Sequence, residues 1–134
     1  MRILAFIILA LVLGAGPASA WSEYVYLDQG VAIQFPARPQ AAKATYDSTL
    51  AKGLSAMIYS AEDDHVLYKL TVVDLTNRPD VGANFLNEAA FGLMREGDVL
   101  FTDFPRVYQD VRSIFGVTVV ADLNDGRRVR RSLY

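Results

Sequence analysis

IFGVTVVADLNDGRRVRRSLY, residues 114–134, is the stretch that decides the fold class of this chain. Val117, Val119 and Ala121 fall on alternate positions, which is the pattern of a β-strand with one buried face. Asn124-Asp125-Gly126 follows, and Asn or Asp before Gly favours the tight turn of a β-hairpin. Residues 114–123 and 127–134 are therefore predicted to pair as antiparallel strands.

The second strand of this hairpin carries a cluster of positive charge. Alternation along a strand places Arg128 and Arg130 on one face and Arg127 and Arg131 on the other. One interpretation is a binding patch for an anionic partner, such as lipopolysaccharide, phospholipid headgroups or an acidic protein. The other is an edge strand whose charge discourages aggregation. Arginines on both faces indicate a strand that is not buried, as expected of an edge.

Upstream of the hairpin, residues 81–96 are predicted to form the one helix of the mature chain. Its apolar side chains recur at the spacing of a single helical face, and they are Leu86, Ala89, Ala90, Leu93 and Met94. Asp80 is predicted to cap the first turn with its carboxylate. Gly97 is expected to end the helix in the left-handed conformation.

The remaining apolar runs alternate with turn residues and read as short strands. They cover residues 24–27, 31–35, 43–50, 54–60, 65–75, 99–104 and 107–111. The strand at 65–75 has apolar residues on both faces and is expected to lie centrally. The fold class is therefore α+β, an antiparallel β-meander of about seven or eight strands with one main helix packed on it. Residues 21–134 are predicted to form a single domain.

A family resemblance rests on the segment Gly30-Val-Ala-Ile-Gln-Phe-Pro-Ala-Arg-Pro39, with Tyr59, the strand Tyr68–Asp74 and the helix following in order. The chain resembles a group of uncharacterised small secreted proteins of Gram-negative bacteria, and is remotely similar to the PsbP-like α/β/α sandwiches. The resemblance implies a fold but no catalytic residues. Such proteins continue with one more strand and a closing helix. Here the sequence stops at Tyr134, so either an exposed edge invites a partner or second copy, or the chain is truncated.

The first twenty residues indicate where the protein works. Arg2 precedes an apolar run from Ile3 to Leu13, and Ala18-Ser19-Ala20 supplies the small residues that a signal peptidase reads. A secretory signal helix, cleaved after Ala20, is predicted, since the run is shorter than the roughly 20 residues of a membrane span. The alternative is an uncleaved anchor. The predicted location is the periplasm or the secreted fraction.

Composition makes several chemistries unfavourable. The chain has no Cys and one His, so thiol chemistry is absent and zinc would lack its usual set of nitrogen and sulfur ligands. His65 follows an acidic turn, residues 62–64, and the spacing there matches no calcium loop. No serine-hydrolase or phosphate-binding motif occurs. Without the signal, 12 basic and 15 acidic side chains give a net charge of −3, which does not attract nucleic acid. No enzyme activity, metal or cofactor is predicted.

The candidate binding residues are the four arginines with Tyr59 and Tyr68. The tyrosines could line a shallow apolar pocket, or they could belong to ordinary core and cross-strand packing. A groove between the helix and the sheet is a further candidate surface. The sequence thus predicts an exported, non-catalytic envelope protein that acts by binding or protein interaction. The alternative is a periplasmic carrier of a small hydrophobic ligand.

Overall fold

The structure, a computed structural model, describes residues 20–109 and 111–134. The predicted signal helix lies outside the described residues, except for Ala20. The chain forms two compact units, whose described parts are residues 20–44 with 56–72, and residues 45–55 with 73–109 and 111–134. The expectation of one domain over residues 21–134 stays a prediction.

The first unit begins with an antiparallel pair of strands, β1 (Ser22–Tyr26) and β2 (Val31–Phe35). A short 3₁₀ turn, Leu27–Gln29, joins them and ends at Gly30. Gly30 has φ 65°, a left-handed conformation that glycine adopts at little cost. The strand predicted at 31–35 and the turn before it are confirmed.

Three longer strands follow, β3 (Gln40–Tyr46), β4 (Leu54–Asp63) and β5 (Val66–Val73), in the order β3-β4-β5. They run across the unit boundaries at 44/45, 55/56 and 72/73. β5 therefore ends the strand order, and the expectation that it lies centrally was wrong. The apolar residues on both faces of β5 suggested a central position, but one of them, Leu67, is 62% exposed.

The strand predicted at 43–50 ends earlier, at Tyr46, because polar side chains organise the residues after it. Ser48 Oγ accepts hydrogen bonds from the N–H groups two and three residues along, each at 3.1 Å. Glu88 Oε1 accepts the N–H of Thr49 at 2.9 Å and also its hydroxyl. These hydrogen bonds lower the pKa of Glu88. These hydrogen bonds thus hold the loop against the helix, and both belong to the second unit.

That helix, α1, spans Gly82–Met94 and is preceded by a 3₁₀ turn, Pro79–Val81. The helix prediction is confirmed, but both predicted end signals were wrong. Asp80 caps nothing, because its carboxylate binds the Arg78 guanidinium at 2.9 and 3.0 Å. The helix ends at Arg95 in a right-handed conformation, and Gly97 instead begins a strand.

The second unit contains a three-stranded antiparallel sheet of β6 (Gly97–Asp103), β9 (Val117–Leu123) and β10 (Arg128–Leu133), in the order β10-β9-β6. The helix packs on it through a cluster of Ala90, Val117, Val119 and Ala121. At Gly97 the strands approach so closely that a Cβ would overlap the Asp122 carbonyl. The hairpin predicted at 114–134 is confirmed as β9–β10, with its turn at Asn124–Gly126.

Between β6 and β9 the chain forms a second hairpin, β7 (Arg106–Gln109) with β8 (Arg112–Phe115). The strand predicted over 114–123 is therefore interrupted at Gly116. A Cβ at that residue would lie 2.5 Å from the Leu133 carbonyl oxygen and 2.6 Å from the Tyr134 ring. Gly116 donates its N–H to the Pro105 carbonyl at 2.9 Å, so the two chain segments stay together across the interruption.

Each unit has its own apolar cluster. In the first, Phe35 is 1% exposed and packs with Tyr59 and Ala61. The second contains, besides the cluster under α1, a cluster of Ala51, Leu54, Val81 and Phe85.

The described residues form ten strands and one α-helix, which makes the fold α+β. The expected single meander is not shown, since the strands group in four sheets.

Candidate binding surface

The arginine strand lies at one end of its sheet, as predicted. Among the described strands, β10 pairs only with β9, in the order β10-β9-β6. Arg128 and Arg130 lie on one face of β10, while Arg131 shares the other face with Val129 and Leu133. These two apolar residues pack against the cluster under α1. The predicted alternation is therefore confirmed, except that Arg127 precedes the strand.

Three of the four arginines already bind a carboxylate. Arg128 donates Nε and Nη2 to Asp122 at 2.7 and 2.9 Å. Arg127 pairs with Asp125, and Arg131 with Glu96. The guanidinium groups of Arg128 and Arg127 lower the pKa of Asp122 and of Asp125, respectively.

The remaining arginine, Arg130, is exposed and has no ion-pair partner among the described residues. The predicted anionic-partner patch thus presents one unpaired positive charge instead of four. Neutralised, exposed pairs contribute little attraction at a distance, especially in salt.

The two candidate tyrosines belong to the first unit and contribute to the cluster around Phe35. Tyr59 is 5% exposed, stacks on Tyr26 with 3.8 Å between ring centroids, and donates its hydroxyl to Gln29 Oε1 at 3.1 Å. Burial, with the nearby Tyr59 and Tyr24, raises the pKa of Tyr26. Tyr68 meets the Trp21 ring edge to face at 5.0 Å. These contacts are those of core packing.

The turn containing His65 is a tight hairpin connection. Asp64 and His65 are its two residues, with φ of 46° and 65°, and both are exposed. Glu62 and Asp63 belong to β4 instead of the turn, because a two-residue loop already connects the strands. Among residues 20–109 and 111–134, no three His, Cys, Asp or Glu side chains are grouped to hold a metal ion.

The predicted groove between helix and sheet is filled. Met94 from α1 and the buried face of β9 pack into the same cluster. No helix in the described part of the chain is long and apolar enough to cross a membrane.

A surface that the sequence reasoning missed lies on the β7–β8 hairpin, here called the arm and comprising residues 104–116. Thr102 pairs with Val119 and Asp103 with Thr118; in the same register, Arg106 then pairs with Phe115. The arm therefore continues the β6–β9 ladder. β10 does not accompany it, because the last β10 residue in the ladder, Leu133, pairs with Val117.

The arm exposes large apolar side chains on both faces. Val107 lies opposite Ile114, and Tyr108 lies on the other face with Phe115. Tyr108 is 71% exposed and Phe104 is 72% exposed. We define the arm surface as the exposed apolar residues of β6 and the arm: Val99, Leu100, Phe101, Phe104, Val107, Tyr108, Val111, Ile114 and Phe115.

Two side-chain contacts lie beside these exposed residues. The Arg106 guanidinium lies 4.2 Å from the centroid of the Phe115 ring, and the N–H of Phe104 binds the Asp103 carboxylate at 2.9 Å. Adjacent apolar residues at 107–108 and 114–115 are the sequence signal for two apolar faces. The sequence analysis predicted a short strand at 107–111 and no hairpin there.

Comparison with known proteins adds no relative. No family model matches the chain, and no curated protein or solved structure is significantly similar to it. The resemblance to small secreted Gram-negative proteins and to PsbP-like sandwiches stays a prediction.

Proposed function

We propose that this chain is an exported, non-catalytic protein of the Gram-negative envelope that acts by binding a partner through the arm surface. The carrying observation is the apolar exposure of the arm. Large contiguous apolar surfaces are uncommon on monomeric proteins and mark interaction sites when they occur. Aromatic side chains, which the arm presents as Phe104, Tyr108 and Phe115, are enriched at such interfaces.

The arm surface is favoured over the arginine strand for a physical reason. Arg127, Arg128 and Arg131 are engaged by carboxylates of the same chain, and an anionic partner would have to displace them. The exposed apolar side chains of the arm gain free energy when a partner buries them.

Export is part of the proposal and rests on the sequence. Cleavage after Ala20 would make Trp21 the first residue, one position before β1 begins at Ser22. The protein would work in the periplasm or after secretion.

In-cell photo-crosslinking tests the proposal. The chain is expressed with its own signal in a Gram-negative host, with a photoreactive phenylalanine analogue at Tyr108. Leu67, a 62% exposed strand residue outside the arm surface, carries the analogue in the matched control.

The expected result is a discrete adduct of the Tyr108 protein, absent from the control, on a chain that begins at Trp21. Equal or absent crosslinking at both positions would refute binding through the arm. Retention of residues 1–20 would refute processing after Ala20.

A further inference from the structure

We infer that the partner bound by the arm surface is a second copy of this chain. This inference rests on the proposed function and names its partner. Two observations carry it: the area of the arm surface and the charges along its segment.

The area is that of one side of a protein–protein interface. With 150–250 Å² for a fully exposed aromatic side chain and somewhat less for an aliphatic one, the exposed fractions of the nine residues, counted on both faces, amount to about 800 Å². A standard interface takes about 800 Å² from each partner. A twofold-symmetric pair uses the same patch on both copies, so the arm surface is large enough for a dimer without another region.

The charges beside the arm surface suit a copy of itself. Asp98 and Asp103 precede the arm, whereas Arg106 and Arg112 lie within it, and Asp110 follows β7 in sequence. Charges of both signs therefore occur along the segment. A patch of one sign would repel its twofold mate, whereas a mixed patch can bring acidic residues of one copy near basic residues of the other.

The opposite edge of the sheet, strand β10, is less suited to pairing with a second copy. If β10 paired with a second β10 centred on Arg130, two unpaired Arg130 guanidinium groups would face one another. Like charges directly opposite on paired strands are unfavourable. The second copy is therefore expected at the arm and β6, not at the arginine strand.

Sedimentation velocity over a range of protein concentrations tests the inference. The protein is recovered from the periplasm after expression with its own signal. Wild type is expected to associate as a dimer. Tyr108→Asp and, separately, Phe104→Asp are expected to raise the dimer Kd at least about tenfold, as for a central aromatic contact. Phe104 lies outside both strands of the arm, so its variant leaves the β7–β8 ladder intact if Tyr108→Asp does not.

Leu67→Asp is the matched control and is expected to leave the dimer Kd unchanged. A monomeric wild type at every concentration would overturn the inference, as would equal weakening by the control and the arm variants. A monomer that still gives a specific Tyr108 crosslink to a different protein would overturn the second copy while leaving the proposed function standing. A monomer with no specific crosslink would overturn both.

Discussion

Val119 offers a test of whether residues 21–134 unfold as one domain. This residue is 2% exposed and lies in the cluster under α1. Val119→Ala removes two buried methyl groups at about 0.8 kcal/mol each, and the cavity left behind adds to that loss. The variant is expected to lower the free energy of unfolding by about 2–3 kcal/mol.

The neighbouring Val120 provides a matched control. It is half-buried on the opposite face of β9 and pairs with Phe101 and Arg130. Val120→Ala removes the same atoms from a less buried site, so a loss of about 1 kcal/mol or less is expected.

Urea unfolding followed by two probes measures both effects. Far-ultraviolet circular dichroism reports on the whole chain. The single tryptophan, Trp21, reports on the first unit, where it contacts Tyr68. If residues 21–134 unfold as one domain, Val119→Ala in the second unit shifts both midpoints equally.

Two results would refute this reasoning. Equal losses for Val119→Ala and Val120→Ala would contradict the buried position of Val119. A fluorescence midpoint that stays at the wild-type value while the dichroism midpoint falls would contradict the single-domain prediction.

Three further predictions concern single contacts. Gly97→Ala is expected to destabilise the fold by about 1–3 kcal/mol because its Cβ meets the Asp122 backbone. Gly92→Ala, in open space within the helix, is expected to stabilise the fold by about 0.5–1 kcal/mol. Urea unfolding measures both changes. The pKa of Asp122 is lowered in the folded protein, so its carboxylate stabilises the fold at pH values above its pKa in the unfolded chain. This stability is lost as the pH falls through the pKa of Asp122 in the folded protein. Arg128→Ser should therefore flatten the acid side of a plot of Tm against pH. For binding to anionic vesicles, Arg130→Ser alone should weaken affinity as much as Arg128→Ser/Arg130→Ser, and flotation assays would contradict this if only the double variant lost binding.

The sequence was most informative where a local signal and burial agree. The alternation at 117–123 and the Asn-Asp-Gly turn predicted β9–β10, and the spacing at 86–94 predicted α1. The helix ends were mispredicted because tertiary contacts decided them. The Asp80 carboxylate binds the Arg78 guanidinium and does not cap the helix. Gly97 lies where β6 and β9 approach too closely for a Cβ.

The candidate site was less predictable because pairing and exposure depend on distant residues. The arginines read as a charged patch, but Asp122, Asp125 and Glu96 neutralise three of them. Tyr59 and Tyr68 read as a pocket or as core, and their ring contacts are those of core packing. The arm was not predicted because its apolar run has the pattern of an ordinary short strand. The local pattern alone does not determine whether the side chains of a strand are exposed.

Native mass spectrometry of the protein recovered from the periplasm tests the central claim most directly, because it reports processing, assembly and any bound ligand together. We predict a dimer of chains that begin at Trp21, with no additional ligand mass. A monomer of that chain would contradict self-association through the arm, and a monomer carrying an ejectable hydrophobic ligand would favour the carrier alternative instead.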